Sequence, residues 1–265
     1  MQTRTLVETI NDPRFIVKLC PYGTSADVQR AIWSAQHQCV IEGFTADDSP
    51  PPTDRAGNAI IKYQLKPEHF SVLKFAFIKL DCAGFPRSMF EQIVRHKDSE
   101  FQQEPPQIWI PEMWSPDYLV QSNRYTGDRF CQIARGELDV EEAYFLRPIG
   151  LYKDREGRTF DYTEQKRERD RERFLQNAKD YAEKCEENCP FEMARGILPA
   201  DVRINFCMAG TLEAMWHWLD QRSKKDAQLE IRVFSRMAQD AITPACPELS
   251  NWYEQNRYGK ARLAP

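Results

Sequence analysis

The sequence predicts a folded protein that mixes helix and strand. Three observations carry this. Apolar residues recur at helical spacing in several segments, an alternating run over residues 69–82 has the period of a strand, and a hydrophobic content of 42% with 12% aromatics supplies a core. At 265 residues the chain is long enough to bury one large core or two small ones.

Charge and cysteine usage narrow the function classes. Lys and Arg total 36 against 40 Asp and Glu, for a net charge of −4. Coating nucleic acid needs a basic face, which this balance does not supply; a local basic pocket for one phosphate remains open. No apolar run approaches the roughly 20 residues of a membrane helix. The opening MQTRTLVETINDPRF lacks a signal-peptide stretch, so a cytoplasmic location is expected. The eight cysteines are irregularly spaced, which predicts reduced thiols rather than a disulfide framework. Cys185 and Cys189 form C-x3-C with no histidine beside them, and no metal site is expected.

Taken in order, SADVQRAIWSAQHQ reads as a helix, with Ser25 as N-cap and Val28, Ile32 and Ala35 on one face. DDSPPPTDRAGN (47–58) reads as a loop, because three prolines cannot continue a helix or a central strand. HFSVLKFAFIKLDC (69–82) reads as a strand, punctuated by Gly84 and Pro86. RSMFEQIVRHK (87–97) reads as a helix with the stripe Met89, Phe90, Ile93 and Val94. Arg95, His96 and Lys97 crowd its C-terminal end, where the helix dipole favours cations. Residues 98–163 are irregular, with scattered aromatics and prolines. EQKRERDRER (164–173) and the FLQNAKDYAEKCEEN that follows read as one helix with a solvated charged face. Residues 187–223 read as two helical pieces: Pro190 starts the first, Gly196 and Pro199 break it, and Thr211 begins the second with Leu212, Met215, Trp216 and Leu219 inward. Residues 224–247 read as a further amphipathic helix stopped by Pro244, and WYEQNRYGKARL as a tail. With 11 glycines and no glycine-rich phosphate loop, a Rossmann or P-loop protein is excluded on residue type.

Two polar clusters exceed what a core asks for. Gln92 shares a helix face with Arg95 and His96, beside Lys97. Glu192 stands one turn from Arg195, with Arg222 near the end of a later helix. Arginine suits bidentate capture of a phosphate or a pyrimidine carbonyl, so these residue types point to a small anionic molecule held without a dedicated metal. The plainer alternative for each cluster is a surface ion pair such as Glu192–Arg195.

The C-terminal block EMARGILPADVRINFCMAGTLEAMWHWLDQRSKKDAQLEIRVFSRMAQ resembles the flavin-dependent thymidylate synthase family. Glu192, Ala194, Arg195, Leu198, Pro199, Leu212, Arg222, Ala227, Gln228, Glu230 and Ile231 match its E-x-A-R-x-x-L-P … A-Q-x-E-I pattern. KPEHFSVLKFAFIKLD is similar to the family's P-F-E-H-x-x-F-T-F strand, and EQIVRHKDSEFQQ to the start of its Q-x-x-R-H-R motif. The resemblance implies an α/β fold with a twisted sheet packed by helices, a single domain over 1–265 with an insertion at about 112–163, and a homotetramer whose sites combine several chains. It implies transfer of a methylene carbon from methylenetetrahydrofolate to C5 of dUMP, with FAD as cofactor and NADPH as reductant. By the same resemblance Gln92, Glu192, Arg195 and Arg222 bind the nucleotide, with Arg222 polarising the pyrimidine as the catalytic group. His69, Arg95, His96, Lys97 and His217 line the flavin.

The departures from the pattern set the alternatives. Lys97 replaces the motif's second arginine, which keeps the charge and loses the planar fork. The motif's Ser-x-Arg-Tyr end is missing after it, although Ser122-Asn123-Arg124-Tyr125 spells it further on. Thr211, Glu213 and His217 stand where the family has Asn, Arg and Asn against FAD, and Glu213 reverses a charge that would meet a pyrophosphate. Two alternatives follow: a variant acting on UMP or a cytidine nucleotide, or hydroxymethylating; and a non-catalytic nucleotide-binding relative without FAD.

Overall fold

The structure is a computed structural model describing residues 5–41, 48–94, 116–154 and 156–260. Strand β1 (Ile16–Leu19) precedes helix α1 (Val28–Val40), whose N-cap is Asp27, accepting from the Arg30 amide at 2.9 Å. Ser25, expected in that role, instead exchanges hydrogen bonds with the Phe77 main chain, accepting at Oγ and donating from its amide. Helix α2 (Thr53–Ile60) corrects the loop expected over 47–58. Pro52 precedes its first residue and Asp54 sits in its first turn, so the last proline marks the start of a helix rather than a break.

The strand expected over 69–82 is also corrected. Phe70–Phe75 form a 3-10 turn, and β2 runs Phe77–Pro86 with Ile78, Leu80 and Cys82 facing inward. A continuous apolar run satisfies either conformation, so periodicity alone could not place the boundary. Gly84 lies inside β2 at an irregularity in its pairing with φ +82, and a Cβ there would stand 1.9 Å from the Arg14 carbonyl oxygen. Only glycine fits both demands.

Helix α3 (Arg87–Ile93) buries Met89, Phe90 and Ile93 as expected. The irregular stretch holds more structure than its composition announced: β3 (Asp117–Val120), α4 (Asp128–Ala134) and a hairpin of β4 (Gly150–Lys153) with β5 (Thr159–Tyr162). Thr163 caps the charged helix α5 (Glu164–Glu186). The short α6 (Phe191–Ala194) and a 3-10 turn over Arg195–Ile197 follow. Strand β6 (Arg203–Thr211) replaces part of the helical reading of 187–223; Ile204, Phe206 and Met208 alternate inward. Helix α7 (Leu212–Arg222) begins where the sequence placed it, after Thr211, which acts as N-cap and accepts from the Ala214 amide at 3.2 Å. Helix α8 (Leu229–Ile242) starts later than expected, and α9 (Pro247–Asn256) corrects the expected tail.

The main sheet has the order β1-β2-β6-β3 and is antiparallel throughout, with Met208 opposite both Leu80 and Tyr118. One face packs against α1, α3, α7 and α8, where Phe85, Phe206, Phe234 and Trp218 meet edge-on or tilted. Each such side chain contributes about 1.5–3 kcal/mol when fully buried. A second core joins α4, α5 and residues 140–144 around Phe130, Tyr144 and Tyr181.

Arg203 ties the two cores together. It is 2% exposed, donates to the carbonyls of Glu141 (2.7 Å) and Gly84 (2.6 Å), and pairs with Asp12 at 2.5 Å. Among the described residues no helix is long and apolar enough to cross a membrane. Every cysteine whose side chain is described is a free thiol.

Candidate functional site

Two helix ends and a loop build a cleft. Gln92 comes from the last turn of α3, Arg222 is the last residue of α7, and Lys224–Gln228 lead into the first turn of α8. The cleft encloses about 1150 Å³. Arg147, Tyr152, Lys153 and Asp154 form its far wall together with Leu6, Val7 and Glu8. That wall is continuous because residues 5–7 bond to the hairpin: the Val7 amide donates to the Leu151 carbonyl at 2.9 Å.

The cleft is internally locked. The Gln92 side-chain amide donates to the Gln228 side-chain oxygen, and the Arg222 guanidinium donates to the Gln92 main-chain oxygen. Arg222 and Gln92, paired by the family resemblance but far apart in the chain, are therefore in direct contact. On the far wall, Arg147 bonds Glu230 at 2.8 Å and approaches Asp201 at 3.7 Å. Burial works against the Arg147 charge, but Glu230 and Asp201 outweigh it and raise its pKa. Burial, with Glu230 nearby, pushes the Tyr152 phenol up to about 12 against the pull of Arg147. Arg147, Arg222, Lys224, Lys225 and Arg232 outnumber the cleft's carboxylates, so the cleft suits an anion.

The other expected site residues fall elsewhere. Glu192 and Arg195 do not line this cleft; both are exposed, on α6 and the turn after it. The expected pair within that turn is replaced by Arg124–Glu192 at 3.3 Å. The Ser122-Asn123-Arg124-Tyr125 turn thus stands against the Arg195 element. His217, half-buried on α7, lies 2.7 Å from the side-chain amide of Gln221, itself a cleft residue. His69 is exposed ahead of the Phe70–Phe75 turn and does not line the cleft. Arg95, His96 and Lys97 lie outside the described residues. Arg147 and Gln228 were not singled out from the sequence; Gln228 sat in the matched A-Q-x-E-I block, whereas nothing in the local sequence marks Arg147.

Glu213 bears on whether the chain suits a flavin pyrophosphate. It is 5% exposed and stands 3.7 Å from Lys74. Burial raises its pKa, and Lys74 opposes the rise. The reversed charge is therefore withdrawn from the surface and countered by Lys74, so Glu213 itself does not stand against an anionic cofactor.

A family model described as thymidylate synthase complementing protein matches residues 22–248. The chain belongs to the flavin-dependent thymidylate synthase family. A flavin-dependent thymidylate synthase from Haloarcula marismortui is 25% identical, covering 98% of both chains. Two crystal structures of thymidylate synthase X from Helicobacter pylori with FAD and dUMP share the fold at 13% identity. Their TM-scores are 0.60 and 0.61; the alignments cover 89% and 88% of this chain and 96% of theirs. The flavin-dependent thymidylate synthases are transferases, and in this chain Arg222 and Gln228 line one cleft.

Proposed function

We propose that the chain methylates C5 of a pyrimidine nucleotide monophosphate, with dUMP as substrate, methylenetetrahydrofolate as carbon donor and FAD reduced by NADPH. The observation that carries this is the Gln92–Arg222–Gln228 contact set at the mouth of an anion-suited cleft. The Gln92 carbonyl holds the Arg222 guanidinium in place before substrate arrives. A positioned guanidinium stabilises negative charge developing on a pyrimidine carbonyl without reorganising in the transition state. Gln92 and Gln228, fixed on each other, orient the ring edge. FAD, when bound, supplies the reducing hydride; His217, His69 and the Arg95–Lys97 run are the residues assigned to hold it. Arg195 takes the nucleotide phosphate of a site on a neighbouring copy, with Glu192 contacting the nucleotide beside it and Arg124 paired to Glu192. Their placement off the cleft supports a homotetramer with composite sites. The 112–163 segment is an insertion in a single domain, and its hairpin forms the far wall.

The test is transfer of label from methylenetetrahydrofolate to dUMP, UMP, dCMP and CMP in separate incubations with FAD and NADPH. Labelled C5-methyl product from dUMP supports the reading. Label appearing first in UMP or a cytidine nucleotide reassigns the substrate, a hydroxymethyl product reassigns the reaction, and no C5 label with any of the four overturns it.

A further inference from the structure

The residue that braces the cleft from outside the family motifs is Arg147. It leaves the main chain two residues after Phe145, whose amide is tied to the Asp201 carbonyl at 2.8 Å. Its guanidinium crosses to Glu230 in the first turn of α8. Glu230 is 2% exposed, and among the described residues its ion pair is to Arg147. Two positions earlier, Gln228 holds Gln92, which in turn holds Arg222. Arg147 and Tyr152 also divide the cleft from a second cavity of about 340 Å³ beneath the hairpin, lined by Phe160, Tyr162 and Phe174.

We propose that Arg147 is a positioning residue of the nucleotide cleft: through Glu230 it fixes the start of α8, and so the alignment of Gln228, Gln92 and Arg222. A buried carboxylate that loses its partner is strongly destabilised where it stands, so Glu230 without Arg147 takes up a proton or turns toward water, and in either case no longer anchors the first turn of α8. The expected kinetic signature rests on the nucleotide-methylation reading; the structural signature does not.

The experiment compares wild type, Arg147→Ala, Arg147→Lys, Glu230→Gln and the Arg147→Ala/Glu230→Gln double variant as full-length, flavin-loaded protein. Hydrogen exchange across Gln228–Phe234 is expected to quicken in Arg147→Ala, with α9 unchanged. Small misplacements at a reacting centre cost up to about a hundredfold, so kcat/KM for dUMP is expected to fall by about ten- to a hundredfold with KM for NADPH unchanged. Because both residues act through one contact, the double variant should be no worse than the more severe single. Arg147→Lys keeps the charge and should shift the same readouts less; it serves where the alanine variant does not fold. Unchanged exchange over Gln228–Phe234 overturns the proposal, as does faster exchange with wild-type dUMP kinetics, or strictly additive effects. If wild type turns over no nucleotide, the methylation reading fails on its own, and exchange with its double-variant comparison decides the role of Arg147.

Discussion

At the end of α7 the Arg222 guanidinium is held on the Gln92 main chain, so its charge is aimed before any ligand binds. Removing a preorganised donor of this kind costs about 10²–10³-fold in kcat, and Arg222→Ala is expected to lose that much in single-turnover methylation of dUMP while still folding. Arg222→Lys keeps the charge without the planar fork and should fall between the two. A second residue-scale prediction concerns Glu213. Its folded-state pKa is raised by burial, so the folded protein holds a proton more tightly there than the unfolded chain does. Its contribution to stability is full below the ordinary carboxylate value and declines as pH rises through the raised pKa. Glu213→Gln should therefore raise Tm relative to wild type at neutral pH, with the gain shrinking toward pH 4; equal Tm differences at both pH values would contradict this. At this scale Gln92 and Arg222 were legible because a motif resemblance marked them. Arg147 was not, because its partner Glu230 is distant in the chain and no local spacing couples them.

Among the elements, α9 shows how a segment that reads as a tail becomes part of the core. Pro247 opens the helix and Glu248 sits in its first turn, both start signals that the polar sequence after them obscured. Tyr253 stacks on Trp216 at 4.6 Å and donates to Asp220 at 2.9 Å, while Arg257 pairs with the same buried carboxylate. Burial raises the Asp220 pKa, with Arg257 and Tyr253 opposing. Arg257→Ala leaves that carboxylate short of its counter-charge and should cost about 3–5 kcal/mol in denaturant unfolding. Tyr253→Phe, which removes one hydrogen bond and keeps the ring, should cost about 1–3 kcal/mol. Helix α5 was readable because its alternating charge run continues unbroken into FLQNAKDYAEKCEEN, and α7 because Thr211 stands directly before its periodic pattern. Strand β6 was missed although Ile204, Phe206 and Met208 alternate, because Gly210 and the helical stripe beginning at Leu212 blur where strand period ends. In β2, Gly84→Ala would set a Cβ against the Arg14 carbonyl at a positive φ, and should lower Tm more than Gly136→Ala, where φ is also positive but the space is open.

For the whole molecule, Arg203 links the sheet core to the α4–α5 core, and both are needed to place the cleft wall against the α7–α8 end. The outer face of the sheet carries Phe77 and Leu119, 44% and 74% exposed in the single chain. The proposed composite site requires assembly into a tetramer, so light scattering should give the mass of four chains. Leu119→Lys should shift that mass downward; a monomeric wild type would contradict the composite site. The most direct test of the central claim, that the Gln92–Arg222 cleft binds a pyrimidine nucleotide beside a flavin, is the absorbance spectrum of the FAD-loaded protein during titration with dUMP. The account predicts a saturable perturbation of the flavin bands in wild type that is lost or strongly weakened in Arg222→Ala. A flavin-loaded wild type whose spectrum ignores dUMP, or an Arg222→Ala variant that responds as wild type does, would contradict it.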